Sequence, residues 1–284
     1  MDSGISQLIY SPVMNWYIVP RSSSSMPSKC PRSLSSCFRL VSKILRCWPR
    51  GLLLSFIDAL FDFLIACRGS YNVQIPYHNF RHVVDVLQAV FYFLLQLGAL
   101  PPYGDEPEEL PSYTQSLSPL ITPVDALTLL VVAVGHDVGH PGVNNAFLVT
   151  LKAPLAQVYN DKSVLESFHC AAFSQVLRKH WPQTLAMRKV MIDTILATDM
   201  GLHFDYMGRL EKLRKKYDKD GGSSKWDEKT TLEHRNLLCA LLIKCADISN
   251  VVSRSCNDSF ATNLADGCSG TQTRMLCTMG HDLD

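Results

Sequence analysis

The chain has 284 residues, of which 47% are hydrophobic and 19% are charged, and its formal net charge is +1. This length allows one substantial hydrophobic core, flanked at most by tails. The small net charge argues against nucleic acid or a membrane as the main partner, because neither would be attracted strongly, and it favours a small molecule or a protein.

Two features bear on the compartment of the protein. The first 51 residues form a basic, serine-rich segment with seven basic residues and one acidic residue, Asp2. This composition predicts a disordered segment, and an organelle transit peptide is the alternative. The ten cysteines are scattered without a C-x-x-C pair, which favours reduced thiols and a cytoplasmic protein.

The hydrophobic pattern predicts helices from Leu52 onward, and no run alternates with the period of two that is typical of a strand. The run Leu52–Cys67 carries Ser55, Asp58 and Asp62 on one helical face, which indicates an amphipathic core helix rather than a membrane span. A second helix with an apolar face is predicted after Pro76. Further helices are predicted at residues 124–134, 163–180, 185–198, 204–217 and 231–246. The sequence therefore predicts an all-α fold, a compact multi-helix bundle.

Two short segments carry histidines, and the second also contains an aspartate. His78 and His82 are four residues apart, which would place both imidazoles on one face of a helix that starts after Pro76. In the second segment, an apolar helix ends in the pair His136-Asp137. Imidazole with carboxylate is a ligand set for zinc or another divalent metal, and a buried pair of this kind needs a cation or a partner. The alternatives are hydrogen-bonded core or surface histidines in the first segment and a His–Asp ion pair in the second.

A third segment adds another carboxylate. Asp247 follows the largely apolar run Leu237–Ala246, where it needs a partner; capping of a following helix is the alternative. His82, His136, Asp137 and Asp247 lie on three predicted helical segments that can converge on one centre. The two oxygens of Asp137 can bridge two cations, and a paired-metal site suits hydrolysis of a phosphate ester.

Five ordered segments, YHNFRHVVDV, GHDVGHPGVNN, DKSVLESFH, LATDMGLHF and KCADISN, resemble successive signatures of the class I 3',5'-cyclic-nucleotide phosphodiesterases. The resemblance covers residues 66–251 and is strongest to fungal members. It implies an HD-type phosphohydrolase fold and hydrolysis of cyclic AMP or cyclic GMP to nucleoside 5'-monophosphates, which ends cyclic-nucleotide signalling.

The resemblance also implies roles for particular residues. His82, His136, Asp137 and Asp247 match the ligands of a tightly bound zinc, and Asp137 also matches the bridge to a second metal, magnesium, with manganese as an alternative. His78 matches the general acid, which would protonate the leaving 3'-oxygen after attack by water activated between the metals. Positions around the metal-bound waters are matched by His140, Glu166 and His169. Pocket or supporting positions are matched by Tyr77, Asn250, Asn145, Thr198 and Met200. For the last three, packing or loop hydrogen bonding is the alternative.

The sequence departs from the family after Val251. Relatives continue through further helices that hold the purine, whereas residues 252–284 are polar and aperiodic, which predicts a disordered tail after a partial phosphodiesterase domain at residues 52–251.

Two hypotheses follow: an active cyclic-nucleotide phosphodiesterase, or a truncated, weakly active or inactive protein that binds only metal or a partner. His78 and its neighbours disfavour a third, another helical His-Asp phosphohydrolase acting on a different nucleotide. A cyclic nucleotide is the expected partner, with no nucleic acid and no transmembrane segment, while the choice of nucleotide and the oligomeric state are left open.

Overall fold

The computed structural model describes residues 53–100, 120–181 and 187–253. Within these ranges the chain forms α-helices and short 3-10 turns without any β-strand, so the all-α prediction is confirmed. The segments predicted to be disordered, 1–51 and 252–284, lie outside the described residues, except that Val252 and Ser253 belong to the last helix. The described helices also lack any that combines the length and apolar character needed to cross a bilayer.

The helices are numbered here in chain order. They are α1 Leu53–Gly69, α2 Phe80–Gln96, α3 Pro123–Gly135, α4 Asn145–Thr150, α5 Pro154–Val158, α6 Val164–His180, α7 Arg188–Ala197, α8 His203–Asp220 and α9 Glu228–Ser253. Single 3-10 turns occur at Met200–Leu202 and Ser223–Lys225.

The chain divides into two units, which are described separately. The first contains residues 53–84 and 134–188, and the second contains residues 85–133 and 189–253, with the gaps given above. The first unit thus includes α1, the first turn of α2, and α4 to α6. The second includes α7 to α9 and most of α2 and α3.

In the first unit, aromatic side chains join α1 to α6. The ring of Phe63 lies 5.9 Å from that of Phe173 and 5.4 Å from that of Trp181, measured between centroids. All three side chains are fully buried. This packing buries the apolar face of α1, as the amphipathic pattern predicts, and Asp62 on the opposite face is exposed.

The segment after α3 is fixed to the loop that follows α1. The hydroxyl of Tyr71 donates a hydrogen bond to the carbonyl oxygen of Val134 at 3.0 Å. The backbone N–H of Gly139 donates to the carbonyl oxygen of Ser70 at 3.1 Å. The His136-Asp137 pair lies between these two attachments, so its backbone is held on both sides.

In the second unit, α8 packs against α9. Tyr206 and Leu213 of α8 form a buried cluster with Leu237, Ala240 and Leu241 of α9. The cluster occupies one side of each helix, while the charged residues of α8, such as those at 215 and 216, face solvent. Both helices are longer than the sequence pattern predicts, because the residues added at their ends are mostly polar and do not extend the hydrophobic period.

One prediction about a helix end is wrong, and one alternative reading of a helix end is excluded. α2 begins at Phe80 rather than directly after Pro76, because the side chain of Asn79 accepts a hydrogen bond from the Arg81 N–H at 2.9 Å and so marks the first turn. Asp247 lies inside α9, which continues to Ser253. It therefore does not cap a following helix.

Candidate metal centre

Two segments of the first unit supply the central side chains. His82 lies in the first turn of α2, directly after the Asn79 cap. His136 and Asp137 follow the last residue of α3, where the Val138 N–H donates to the carbonyl oxygen of Gly135 at 3.2 Å and turns the chain. The side chains of His82 and His136 are fully buried.

His82 and His136 converge on one oxygen of Asp137. The Nε2 atom of His82 lies 3.5 Å from Asp137 Oδ2, and that of His136 lies 3.4 Å from the same oxygen. Both separations exceed the 2.7–3.2 Å of an ordinary N–H···O hydrogen bond. The three groups therefore point toward a common position without bonding tightly to one another.

These separations fit a metal ion. Zinc binds nitrogen and carboxylate oxygen at about 2.0–2.2 Å in tetrahedral sites, so two of its ligand atoms are about 3.4 Å apart. Among the described residues, no hydrogen bond reaches Asp137 Oδ2, although the atom is buried. A buried carboxylate oxygen needs a positive partner, which a divalent cation would supply.

The charge state of Asp137 also suits metal binding. Burial raises the pKa of its carboxyl group, but His136, His82, His169 and His140 together outweigh burial and hold the pKa well below its usual value. Asp137 is therefore ionised at neutral pH, and an anionic carboxylate is the form that binds a cation.

The other oxygen of Asp137 faces a different histidine. His169 Nε2 lies 3.7 Å from Asp137 Oδ1, and His169 Nδ1 donates to the carbonyl oxygen of Val138 at 2.9 Å. In the neutral ring this hydrogen bond leaves the lone pair on Nε2. Burial lowers the pKa of His169 below its usual value and favours that neutral form. Asp137, His140 and His169 form a second group whose ligand atoms lie within 4.8 Å of one another.

His78 and His140 form a stacked pair of rings. Their centroids are 3.8 Å apart and their planes differ by 12°. Burial lowers the pKa of His140 from 6.5 to about 3, and its Nδ1 accepts a hydrogen bond from the Gly142 N–H at 3.0 Å. The neutral ring therefore carries its proton on Nε2. His78 precedes α2 instead of sharing a helical face with His82, but the two rings still lie 5.8 Å apart.

Three further predicted residues also lie in the first unit. The ring of Tyr77 lies 4.7 Å from that of His78 and 4.8 Å from that of His82. The amide of Asn145 donates to Glu166 Oε2 at 2.9 Å, and its oxygen accepts from the N–H of residue 165 in the first turn of α6. Asn145 therefore has a supporting position, where it both orients Glu166 and caps α6.

The other predicted residues belong to the second unit. Asp247 is half-buried within α9, which also contains Asn250, and the prediction that Asp247 is a metal ligand stays a prediction. The hydroxyl of Thr198 donates a hydrogen bond to the carbonyl oxygen of Ile195 at 2.8 Å, so this contact stabilises the backbone where α7 ends. Met200 is 55% exposed, and direct substrate contact is a prediction for it as well.

Sequence reasoning missed one buried charge. Lys244 is 3% exposed, and its ammonium group donates to the carbonyl oxygens of Ala197 and Asp199. The available signal was a charged residue inside the otherwise apolar run Leu237–Ala246, because a charge in such a run requires specific partners.

The family is decided by comparison with known proteins. A model of the 3'5'-cyclic nucleotide phosphodiesterase family matches residues 77–264. The chain belongs to this family. The phosphodiesterase match covers all five signature segments and extends beyond residue 251, the predicted end of the resemblance. Members of the family use divalent metals, in agreement with the histidine and aspartate groups of the first unit.

Individual relatives come from several kingdoms. The chain is 35% identical over 203 residues to 3',5'-cyclic-nucleotide phosphodiesterase 2 of Saccharomyces cerevisiae, with 68% of this chain and 30% of the relative covered. It is 31% identical over 215 residues to the human high affinity cAMP-specific and IBMX-insensitive 3',5'-cyclic phosphodiesterase 8A, with 68% and 23% covered. It is 30% identical over 204 residues to the cGMP-specific 3',5'-cGMP phosphodiesterase 3 of Dictyostelium discoideum, with 68% and 37% covered.

The same family emerges from solved structures. The crystal structure of yeast caPDE2 in complex with IBMX superimposes with a TM-score of 0.64 at 30% identity, with 100% of this chain and 61% of that chain covered. The similarity to fungal proteins predicted from the sequence agrees with the two yeast matches. The chain spans less than two thirds of the length of each of these relatives.

Proposed function

We propose that this protein hydrolyses 3',5'-cyclic nucleotides to nucleoside 5'-monophosphates at a site with two divalent metals, and that it thereby ends cyclic-nucleotide signalling. One observation carries the proposal: the two oxygens of Asp137 face different histidines, Oδ2 toward His82 and His136 and Oδ1 toward His169. A carboxylate so placed suits a bridge between two cations.

The donor set indicates which metals would bind. His82, His136 and Asp137, with Asp247 as the predicted fourth ligand, offer nitrogen and oxygen atoms of the kind that zinc prefers. The second position, beside Asp137 Oδ1, suits magnesium or manganese if water completes the coordination, since both metals prefer oxygen ligands. When bound, such metals polarise phosphoryl oxygens and lower the pKa of water, which supplies the nucleophile.

The chain's own residues supply proton transfer and orientation. His78 holds the proton for the leaving 3'-oxygen, since its ring lies beside the metal-binding histidines and against Tyr77. His140 is neutral, so it places no positive charge next to the His78 ring, 3.8 Å away. Asn145 fixes the Glu166 carboxylate, and we propose that this carboxylate orients water.

The choice between cyclic AMP and cyclic GMP is open for this chain. One relative is named as cAMP-specific and another as cGMP-specific, so both nucleotides are candidate substrates of this chain. We propose Thr198, Met200 and Asn250 as pocket or supporting positions. The side chain of Met200 is more exposed to solvent than that of Thr198.

The proposal is tested by measuring the release of AMP and GMP from the cyclic nucleotides by the purified full chain with zinc and magnesium present. Asp137→Asn should lower turnover by at least about 10²-fold, because it removes the charge that both metals need. His180→Ala is the matched control, since His180 belongs to neither ligand group, and it should retain activity. Absence of hydrolysis by the metal-loaded wild type, or unchanged turnover in Asp137→Asn, would contradict the proposal.

A further inference from the structure

A buried lysine in the second unit has no part in the chemistry proposed above. Lys244 lies on α9 and is only 3% exposed. Burying an ammonium group is unfavourable unless hydrogen bonds and negative charge compensate for the lost water. The contacts that Lys244 makes therefore indicate which part of the chain it stabilises.

The ammonium group of Lys244 binds the chain where α7 ends. Its Nζ atom donates hydrogen bonds to the carbonyl oxygens of Ala197 at 2.9 Å and Asp199 at 3.0 Å, and it lies 3.7 Å from Met200 Sδ. Ala197 is the last residue of α7, and carbonyl groups there lack partners within the helix and carry its negative end. The ring of Tyr206, 5.9 Å from Nζ, adds a cation–π contact.

The turn after α7 is only partly buried. Thr198 is 8% exposed, whereas Met200 and Leu202 are 55% and 39% exposed, so packing holds the middle and end of the turn less firmly than its start. The turn is closed by short-range bonds, in which Asp199 accepts from the Gly201 N–H through its side chain and from the Leu202 N–H through its carbonyl oxygen. Lys244, which lies 47 residues from Ala197 and 45 residues from Asp199 in the sequence, connects this turn to α9.

We propose that Lys244 is a positioning residue that holds the turn Thr198–Leu202 and thereby sets the affinity for the cyclic nucleotide. This inference rests on the proposed function, in which Thr198 and Met200 occupy pocket or supporting positions. Because Lys244 contacts the thioether of Met200 as well as the backbone beside it, it fixes both the path of the turn and one side chain that the turn presents.

The test compares Lys244→Met with Lys215→Met in the full chain. Methionine retains an unbranched apolar stem and removes the three N–H donors of lysine. Lys215 is the matched control, because its side chain is 73% exposed and pairs with Glu211 on α8. Zinc content, KM and kcat for cyclic AMP and cyclic GMP, and amide hydrogen exchange are measured for each protein.

In Lys244→Met, amide exchange should accelerate about tenfold or more at residues 198–202 and stay unchanged elsewhere, because hydrogen bonds from a charged donor are lost. KM should rise about tenfold, whereas kcat and zinc content should change by less than about twofold. Lys215→Met should behave as wild type. A split between KM and kcat is expected of positioning, while general destabilisation would change all the quantities together.

Two results would overturn the inference: unchanged exchange at residues 198–202, or unchanged KM in a folded Lys244→Met protein. If that variant is insoluble, Lys244→Gln decides, because its neutral amide donates weaker hydrogen bonds than the ammonium group; exchange and KM raised to between wild type and tenfold support the inference, and a wild-type value of either refutes it. If the wild type hydrolyses neither nucleotide, the proposed function and the link to substrate affinity both fail, while exchange at the turn still tests its attachment by Lys244.

Discussion

Gly135→Ala should destabilise the first unit, although alanine is the better helix former. Gly135 is the last residue of α3 and directly precedes His136. A Cβ atom at this position would lie 2.0 Å from Cε2 of Phe173 and 2.2 Å from two further ring atoms. Carbon atoms pack at about 3.5–4.0 Å, so the ring would have to move by about 1.5 Å or more.

The Phe173 ring has no free space to enter. Its side chain is fully buried and packs against Phe63, which itself packs against Trp181. Overpacking a core typically costs about 1–3 kcal/mol, and the helix propensity of alanine offsets at most about 1 kcal/mol. We expect Gly135→Ala to lower the free energy of unfolding by about 2 kcal/mol, which corresponds to a decrease in Tm of about 4–8 °C for a domain of this size.

Thermal unfolding followed by circular dichroism measures this effect. Gly208→Ala is the matched control, because a Cβ at that exposed helical position meets nothing within 4 Å, and it should stabilise the protein by up to about 1 kcal/mol. Combining Gly135→Ala with Phe173→Leu should recover part of the loss, with a coupling of about 0.5–3 kcal/mol. A wild-type Tm for Gly135→Ala, or additive effects in the double variant, would refute the reasoning.

Three further outcomes are expected. His78→Ala should lower turnover by ~10²–10⁴-fold with unchanged metal content; loss of metal measured by elemental analysis would contradict its role as an acid. Asn145→Ala should lower the free energy of unfolding by about 1 kcal/mol in denaturant titrations, because the hydrogen bond to Glu166 and the cap of α6 are lost; wild-type stability would argue against this cap. Burial raises the pKa of Cys239 to about 12 and that of the half-buried Cys245 to about 11, so iodoacetamide at pH 8 should modify both slowly until urea unfolds the chain; rapid labelling of the native protein, detected by mass spectrometry, would contradict these raised pKa values.

Hydrophobic periodicity was sufficient to predict the long helices. The run 124–134 contains mostly apolar residues and forms the buried helix α3, and the apolar stripe of α2 is buried as predicted. The short helices α4 and α5, of six and five residues, were not predicted because they are too short to show a period. Their local signals were an Asn144 cap and Pro154 in the first turn, which indicate a helix start only when its length is known.

The ligand types were predictable from sequence, but the arrangement around them was not. Adjacent His136 and Asp137 after an apolar helix indicated a buried ionisable pair, and the structure brings His82 to the same carboxylate oxygen. The stack of His78 on His140 depends on a turn before α2 and a turn after α3, and residues 62 positions apart in the sequence carry no local pattern that reveals such a contact. The position of the α2 start depended on Asn79, whose capping bond competes with the helix-starting signal of Pro76.

Metal content tests most directly whether one carboxylate serves two metal positions. Elemental analysis of the purified chain, equilibrated with zinc and manganese, should give two bound ions in the wild type and in the His180→Ala control. His82→Ala should lose the zinc, whereas Asp137→Asn should lose both ions, because Oδ2 faces His82 and His136 while Oδ1 faces His169. If Asp137→Asn retained one ion at wild-type occupancy, Asp137 would not join the two positions, and the proposed paired-metal mechanism would be wrong.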